Sequence, residues 1–374
     1  MNKTIGNRPE TWLERLALDG PVTRLKTFEV AADALAWNRF FGALQLVLIV
    51  LLFLSGAFMA FYYSPAPGSA YDSVDYALFS VPFGDIIKGI HHYGWNLLLI
   101  VMGLHLVRGF LFGAYKPPRQ LVWVSGVLIM LIIPLFIITG DLLPWDQKGY
   151  WSTQVRLSIM GSFPVIGDFM VRLLQGGPLT GIVALTRFYV LHIVFLPGLL
   201  VLLLIIHFHF IRHRGLAGPL TQDNSLRKTV PFFPTIVNRW IVLFLGVALI
   251  LGLISWYWPA PLGDPADPTD STYFPAPEWW VLFLNQLVTV FKGSWSVIGS
   301  VIIPGGLVGL LVALPFIDAS PQRHPVLRKK AMLGAAMIAI ALFVLSIMGY
   351  LEHFRHLIHN QDALSLFFCI GIFL

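Results

Sequence analysis

The sequence predicts an all-α, polytopic transmembrane protein, and three features of its composition support this fold class. Of the 374 residues, 57% are hydrophobic and only 12% are charged, whereas ordinary soluble domains carry about a quarter charged residues. The mean hydropathy of +0.76 excludes a disordered chain. Cys369 is the only cysteine, which excludes a disulfide scaffold. The chain is therefore expected to lie in membrane lipid.

Seven charge-free stretches, each of at least 19 residues, predict seven transmembrane helices. A helix needs about 20 residues to cross roughly 30 Å of hydrocarbon. An eighth charge-free window, 363–374, has only 12 residues and predicts a short or incomplete last helix. In chain order, the seven predicted spans are 40–71, 89–107, 120–140, 188–211, 240–263, 293–317 and 331–351.

The placement of Lys and Arg predicts the orientation of the spans. With the N-terminus in the cytoplasm, 18 of the 25 Lys and Arg residues lie on the cytoplasmic side, as the positive-inside rule requires. The loops 64–85 and 259–278 carry acidic residues but neither Lys nor Arg, as expected of outer loops. The basic residues behind the net charge of +6 are thus distributed by side of the membrane, and no nucleic-acid partner is expected. We predict a multi-pass protein of a bacterial-type cytoplasmic membrane.

The predicted spans divide the chain into three parts. Residues 1–36 form a cytoplasmic segment, 37–215 hold the first four spans, and 216–374 hold the last three spans with the short eighth. Two connecting stretches are more than plain loops. The stretch 141–187 predicts short helices at the outer surface, and the apolar segment 279–291, too short to cross, predicts a surface or re-entrant helix.

Four histidines form two pairs with matched spacing. His91 and His105 lie 14 residues apart on the second span, and His192 and His207 lie 15 apart on the fourth. At about 100° and 1.5 Å per residue, each pair stays near one helix face and spans about 21 Å. Facing helices would bring His91 level with His192 near the outside and His105 level with His207 near the inside. Isolated buried histidines are the alternative, but intramembrane polar groups are costly and usually functional.

Each level suits one haem iron with two axial imidazoles. Bare zinc would need four ligands at one point, and no cysteine lies near either level. Gly42 and Gly56 on the first span, and Gly126 and Gly140 on the third, repeat the 14-residue interval. Without side chains they would let the edge of a macrocycle approach the helix backbone, although glycine is also common at helix contacts. The sequence therefore predicts two b-type haems.

Several cations lie near the two predicted levels. They are candidates for neutralising haem propionates, and interfacial snorkelling is an equally good interpretation of each one taken singly. These cations are Lys88, Arg108, Arg119 and Arg187.

Several motifs together resemble cytochrome b of the Rieske/cytochrome b complexes, which oxidise quinol. The resemblance runs from about Trp37 to about residue 350. The 15-residue histidine interval on the fourth span and the Asp264–Pro268 run before Pro-Glu-Trp-Trp are similar to the chloroplast-type bf branch. In that branch the chain is commonly divided into two subunits, whereas here both halves are fused. The matching stretches are Gly56–Tyr63, His91 with His105, Lys116–Gly126, Pro144–Gln147, Arg187–His192 and Pro277–Trp280.

Two positions depart from the family pattern. Many bf members bind an extra covalent c-type haem through a cysteine near the inner end of the first span, and that position holds Phe40 here. No such haem is predicted. The usual Pro-Glu-Trp-Tyr reads Pro-Glu-Trp-Trp, so Trp280 keeps an aromatic ring and an N–H donor but lacks the phenol.

The resemblance implies a quinol-oxidising site with Glu278, Trp279 and Trp280 as catalytic residues and Glu278 as proton acceptor. Taken alone, Glu278 equally suits a cap of the 279–291 helix. One electron would leave to a Rieske iron–sulfur protein, which is a separate subunit because one cysteine cannot hold that cluster.

The other electron would pass through the outer haem (His91/His192) and the inner haem (His105/His207) to quinone at an inner pocket, building a proton gradient. Arg212, with Lys228 and Asp223 nearby, is the candidate lining of that pocket. A c-type cytochrome or equivalent acceptor and a homodimer are also expected from the family.

Two other classes share some of these features. A di-haem membrane anchor of a dehydrogenase or hydrogenase also carries histidines on helices, but it has no reason for a Pro-Glu-Trp-Trp loop after a fifth helix. A secondary transporter with intramembrane histidines would lack the absorption bands of reduced b haems.

Overall fold

Seven long apolar helices dominate the computed structural model, which describes residues 29–31, 40–215, 217, 229–270, 272–318 and 320–359. The predicted fold class is confirmed for this part of the chain. The window 363–374 and nearly all of 1–36 lie outside the described residues. The seven helices are α1 (Phe40–Tyr62), α3 (Gly84–Leu111), α4 (Gln120–Asp141), α7 (Ile182–Arg214), α8 (Phe232–Tyr257), α10 (Ile298–Ile317) and α11 (Lys329–His353, continuing to His359).

The helix ends differ from the charge-free windows for two physical reasons. Helix α1 ends at Tyr62, before Pro65 and Pro67, because proline cannot continue a helix. Helix α8 begins at Phe232, eight residues before its predicted span, and contains the exposed Arg239. A long cationic side chain is tolerated near a helix end because it reaches towards water. Charge-free windows therefore locate the apolar part of a helix and not its ends.

Short helices fill the connections, as the sequence predicts for 141–187 and 279–291. Helix α5 begins after Asp146, whose carboxylate accepts a hydrogen bond of 2.8 Å from the backbone N–H of Gly149. Two three-residue strands, β1 (Glu29–Ala31) and β2 (Thr229–Pro231), pair antiparallel. The short helices are α2 (Ala70–Phe79), α5 (Gln147–Gly161), α6 (Gly167–Gln175) and α9 (Trp279–Val290).

One apolar core joins the first five long helices. Helix α1 packs on α3, α4 packs on α7, and α8 packs on both α1 and α3. Leu48, Leu98, Ile133, Leu200 and Leu251, one from each helix, are almost completely buried in this core. Helix α10 packs on α4, and α11 packs on α9. The core thus holds α3 and α7, which carry the four paired histidines, in fixed positions against α1 and α4.

A buried polar cluster links the loop after α3 to the loop after α10. Lys116 Nζ lies 2.7 Å from Asp318 Oδ1, Arg328 donates to the Tyr115 hydroxyl at 2.7 Å, and Tyr115 donates to Asp318. Burial by itself raises the pKa of Asp318, but hydrogen bonds from Lys116 and Tyr115 hold that pKa below its usual value. We call Tyr115, Lys116, Asp318 and Arg328 the polar clamp.

Candidate functional site

The structure brings the histidines of α3 and α7 together in two levels. The ring centroids of His91 and His192 lie 6.3 Å apart. Two metal–nitrogen bonds of about 2 Å account for roughly 4 Å of such a separation, and the rings account for the rest. One metal atom therefore fits between these two rings. His105 and His207 form the second level, within electrostatic range of each other.

A π-helical turn, Leu191–Phe195, contains His192. A π turn adds one residue to an α-helix without changing the direction of the flanking segments. The interval of 15 residues on α7 therefore matches the interval of 14 residues on α3. The sequence predicts the two levels but not the local distortion that aligns them.

Each of the four predicted glycines lies against one histidine ring. A Cβ atom added to Gly140 would meet His192 Cε1 at 2.6 Å, and one added to Gly56 would meet His91 Cε1 at 3.2 Å. The corresponding distances are 3.3 Å for Gly126 to His207 and 3.5 Å for Gly42 to His105. The glycines were expected to admit a macrocycle edge, but their nearest neighbours in this structure are the imidazole rings. They let each ring pack directly on the helix opposite.

Hydroxyl groups immediately before three of these glycines contact the same rings. Ser55 Oγ lies 3.0 Å from His91 Nδ1, Ser125 Oγ lies 2.9 Å from His207 Nδ1, and Thr139 Oγ1 lies 3.1 Å from His192 Nδ1. Sequence reasoning missed these three hydroxyl residues. The signal that could have identified them is the Ser or Thr that directly precedes three of the four predicted glycines.

The direction of these hydrogen bonds follows from the proton count. Each hydroxyl donates its single proton to a carbonyl of the preceding turn, at 2.8 Å for Ser55, 3.0 Å for Ser125 and 2.7 Å for Thr139. The hydroxyl oxygen then accepts from the N–H at Nδ1 of the histidine. This tautomer leaves Nε2 without a proton, as a metal ligand requires. The donor set thus fits haem iron.

A cavity of about 570 Å³ extends from the outer histidine pair to Glu278. Its size lies within the range of about 300–1,000 Å³ that is typical of ligand sites. His91 and His192 line one part, Glu278 and Lys148 line another, and most of the remaining lining is apolar. A ligand beside Glu278 and a group held by the outer histidines would share this space.

Glu278 forms an ion pair with Lys148, and the exposed fractions of their side chains are 14% and 40%. Glu278 occupies the position before the turn Trp279–Val281, as the capping interpretation predicts, but its side chain makes no capping hydrogen bond. Burial lowers the pKa of Lys148, but Glu278 and Asp141 outweigh this effect and raise the pKa above its usual value. Sequence reasoning missed Lys148, which is 130 residues away from its partner along the chain.

The two tryptophans after Glu278 lie outside the lining of this cavity. Trp279 Nε1 donates to Asn96 Oδ1 at 2.8 Å. Trp280 packs against the apolar core, and its buried Nε1 has no hydrogen-bond partner among the residues that the structure describes. Glu278 is thus the member of this predicted set that reaches the cavity.

The predicted cations make other contacts. Lys88 lines the cavity and donates to the carbonyls of Ala260 at 3.3 Å and Pro261 at 2.7 Å. That these cations bind haem propionates remains a prediction. Lys228 and Asp223 lie outside the described residues. Among the others, Arg187 donates to the carbonyls of Arg172 and Leu173, Arg119 is buried and donates to that of Ala114, Arg108 lies 5.4 Å from the centre of the Phe112 ring, and Arg212 is exposed.

Paired intramembrane histidines in a helical bundle are typical of polytopic membrane proteins that bind haem. Comparison with known proteins gives the family. The model described as "Cytochrome b(N-terminal)/b6/petB" matches residues 96–265, and "Cytochrome b(C-terminal)/b6/petD" matches residues 265–369. Both halves therefore lie in one chain.

Relatives and a solved structure agree with this match. Cytochrome b6 of Synechococcus sp. (strain CC9605) and of Prochlorococcus marinus (strain MIT 9303) are each 42% identical over 179 residues, which is 48% of this chain and 82% of theirs. A structure titled "Hyperthermophilic respiratory Complex III" superposes with a TM-score of 0.76 and 27% identity, covering 91% of this chain and 90% of that chain. The chain belongs to the cytochrome b family and is the cytochrome b subunit of a bc/bf-type quinol oxidoreductase complex. This membership excludes the dehydrogenase anchor and the transporter.

Proposed function

We propose that this chain oxidises quinol in the cavity beside Glu278 and holds two b-type haems. His91 and His192 would hold the outer haem, and His105 and His207 the inner haem. The observation that carries the proposal is the cavity that runs without interruption from the outer histidine pair to Glu278. When bound, the haems supply one-electron transfer for one of the quinol's two electrons, while a Rieske iron–sulfur subunit takes the other.

Oxidation of quinol to quinone releases two electrons and two protons. Glu278 would accept one proton, since it is the carboxylate that both lines the cavity and belongs to the Pro-Glu-Trp-Trp loop. The other proton would leave with the electron that the Rieske subunit takes. Lys148 neutralises the Glu278 carboxylate until the proton arrives. The apolar lining excludes water from the reacting quinol head.

The remaining assignments concern the opposite side of the membrane and the assembly. The first four spans within 37–215 would hold the haems, and 216–374 would complete the outer site. An inner quinone pocket near Arg212 would take up protons, so that turnover builds a proton gradient across the membrane. We place the N-terminus on the cytoplasmic side of a bacterial-type membrane. A homodimer with a c-type cytochrome or equivalent acceptor would complete the enzyme, without a covalent haem at Phe40.

The first test is spectroscopic and uses the purified complex. A reduced-minus-oxidised spectrum with a haem assay should give two b haems per chain. His91→Ala and His207→Ala should each remove one of them. A wild-type complex with one haem or none would contradict the proposal.

The second test is kinetic. Glu278→Gln should lower quinol-driven reduction of an added cytochrome c while leaving both haem bands intact. Asp267→Asn, in the exposed stretch before the Pro-Glu-Trp-Trp loop, is the matched control and should keep the wild-type rate. An unchanged rate in Glu278→Gln would show that the outer site is wrongly placed.

A further inference from the structure

The inner level differs from the outer level at one histidine. Three of the four rings donate their Nδ1 proton to Ser55, Thr139 or Ser125. Nδ1 of His105 is buried and has no hydrogen-bond partner within the described parts of the chain.

One position of α1 differs between the two levels. The residue before Gly56 is Ser55, and the residue 14 positions earlier, before Gly42, is Phe41. Gly56 lies against His91, and Gly42 lies against His105 in the same way. Phe41 packs against the apolar core and offers no acceptor. The helix therefore has a hydroxyl group before Gly56, at the outer ring, and no hydroxyl group at the matching position before Gly42.

We propose, resting on the haem assignment above, that Phe41 raises the midpoint potential of the inner haem by denying His105 a hydrogen-bond acceptor. An acceptor at Nδ1 makes an imidazole a more basic ligand. A more basic ligand stabilises the oxidised iron, which carries the higher charge, and so lowers the potential. Both outer histidines have such an acceptor, whereas His207 is the inner histidine for which the described residues provide one. This asymmetry favours transfer of the electron from the outer level to the inner level.

The experiment is a potentiometric titration of the intact complex, followed through the absorption bands of the two b haems. Phe41→Ser places a hydroxyl in the register of Ser55 and should shift the midpoint of the higher-potential haem downwards. Phe41→Leu removes the ring without adding an acceptor and should leave both midpoints unchanged. Ser55→Ala should shift the midpoint of the lower-potential haem upwards.

The outcomes separate this inference from the proposed function. A wild-type complex without two haems overturns the function itself. If two haems are present but neither Phe41→Ser nor Ser55→Ala changes a midpoint potential, only the role of Phe41 in setting the potential is overturned. The same conclusion follows if Phe41→Leu shifts the midpoint as much as Phe41→Ser does. If Phe41→Ser fails to retain haem, the result of Ser55→Ala decides whether the inference holds, because this variant tests the same kind of hydrogen bond at the outer level.

Discussion

Individual glycines decide how closely each histidine ring packs on the opposite helix. The distance from an added Cβ to the ring differs by almost 1 Å between Gly140 and Gly42, from 2.6 Å to 3.5 Å. Real Cβ contacts of 3.5 Å are ordinary, whereas one of 2.6 Å forces the ring to move. Four glycines with the same spacing are therefore not equivalent.

Gly140→Ala should displace His192, reduce the haem content of the outer level and cost about 1–3 kcal/mol of stability through overpacking. Gly42→Ala is the matched control, and both haems should survive in it. Haem content and thermal unfolding of the purified complex measure both effects. Equal behaviour of the two variants would contradict the packing described here.

Lys148 is the second residue whose role can be tested singly. Its pKa in the folded protein is raised, so the contribution of the Lys148 charge to stability is complete below the unfolded-state pKa of about 10.4 and is lost as pH rises through the folded value. Lys148 is therefore charged at neutral pH.

Lys148→Met removes the cation that pairs with the Glu278 carboxylate, and a nearby opposite charge favours the charged form of a carboxyl group. We expect the acid limb of the pH–rate profile for quinol oxidation to move to higher pH. Lys148→Arg should restore the wild-type profile. If the pH–rate profile of Lys148→Met were unchanged, Lys148 would have no role in quinol oxidation.

At the scale of helices, α7 differs from α3 through its π turn. The turn Leu191–Phe195 absorbs the additional residue between His192 and His207. Val194 lies in this turn, and Leu202 lies in the regular helix beyond it; both are largely exposed on the outside of the bundle.

Deletion of Val194 should convert the π turn into regular α-helix and keep both histidines in place. Deletion of Leu202 should rotate everything beyond it by about 100°, so that His207 turns away from His105. Two haems are expected in the first variant and one in the second, measured by the reduced-minus-oxidised spectrum. Loss of a haem on deletion of Val194 would show that the turn has another role.

At the scale of the whole molecule, the polar clamp joins the two halves that some relatives carry as separate chains. Lys116 and Arg328 are almost completely buried, and both lie close to Asp318. A buried charge that loses its partner is strongly destabilising.

Asp318→Asn should therefore cost about 3–5 kcal/mol, seen as a lower thermal midpoint. The folded pKa of Asp318 is depressed, so its contribution is complete above the unfolded pKa of about 4 and is lost as pH falls through the folded value. In Asp318→Asn, the loss of stability that follows from protonation of this carboxylate at low pH should disappear. In Asp267→Asn, at an exposed position, that loss should remain. Equal stability of both variants would contradict the role of the clamp.

Features that depend on local periodicity could be predicted from the sequence. The seven spans follow from runs of apolar residues, and the two levels of histidines follow from the turn of a regular helix. The resemblance singled out Glu278 through the loop that surrounds it.

Contacts between groups that are distant in the chain required the folded structure. Lys148 and Glu278 are 130 residues apart, Ser125 and His207 are 82 apart, and Lys116 and Asp318 are about 200 apart in the chain. Helical periodicity states which face a residue occupies on its own helix, but not which helix that face meets. Two features depend on that packing and became visible only in three dimensions: the cation beside Glu278, and the Nδ1 of His105, which lacks a partner among the described residues.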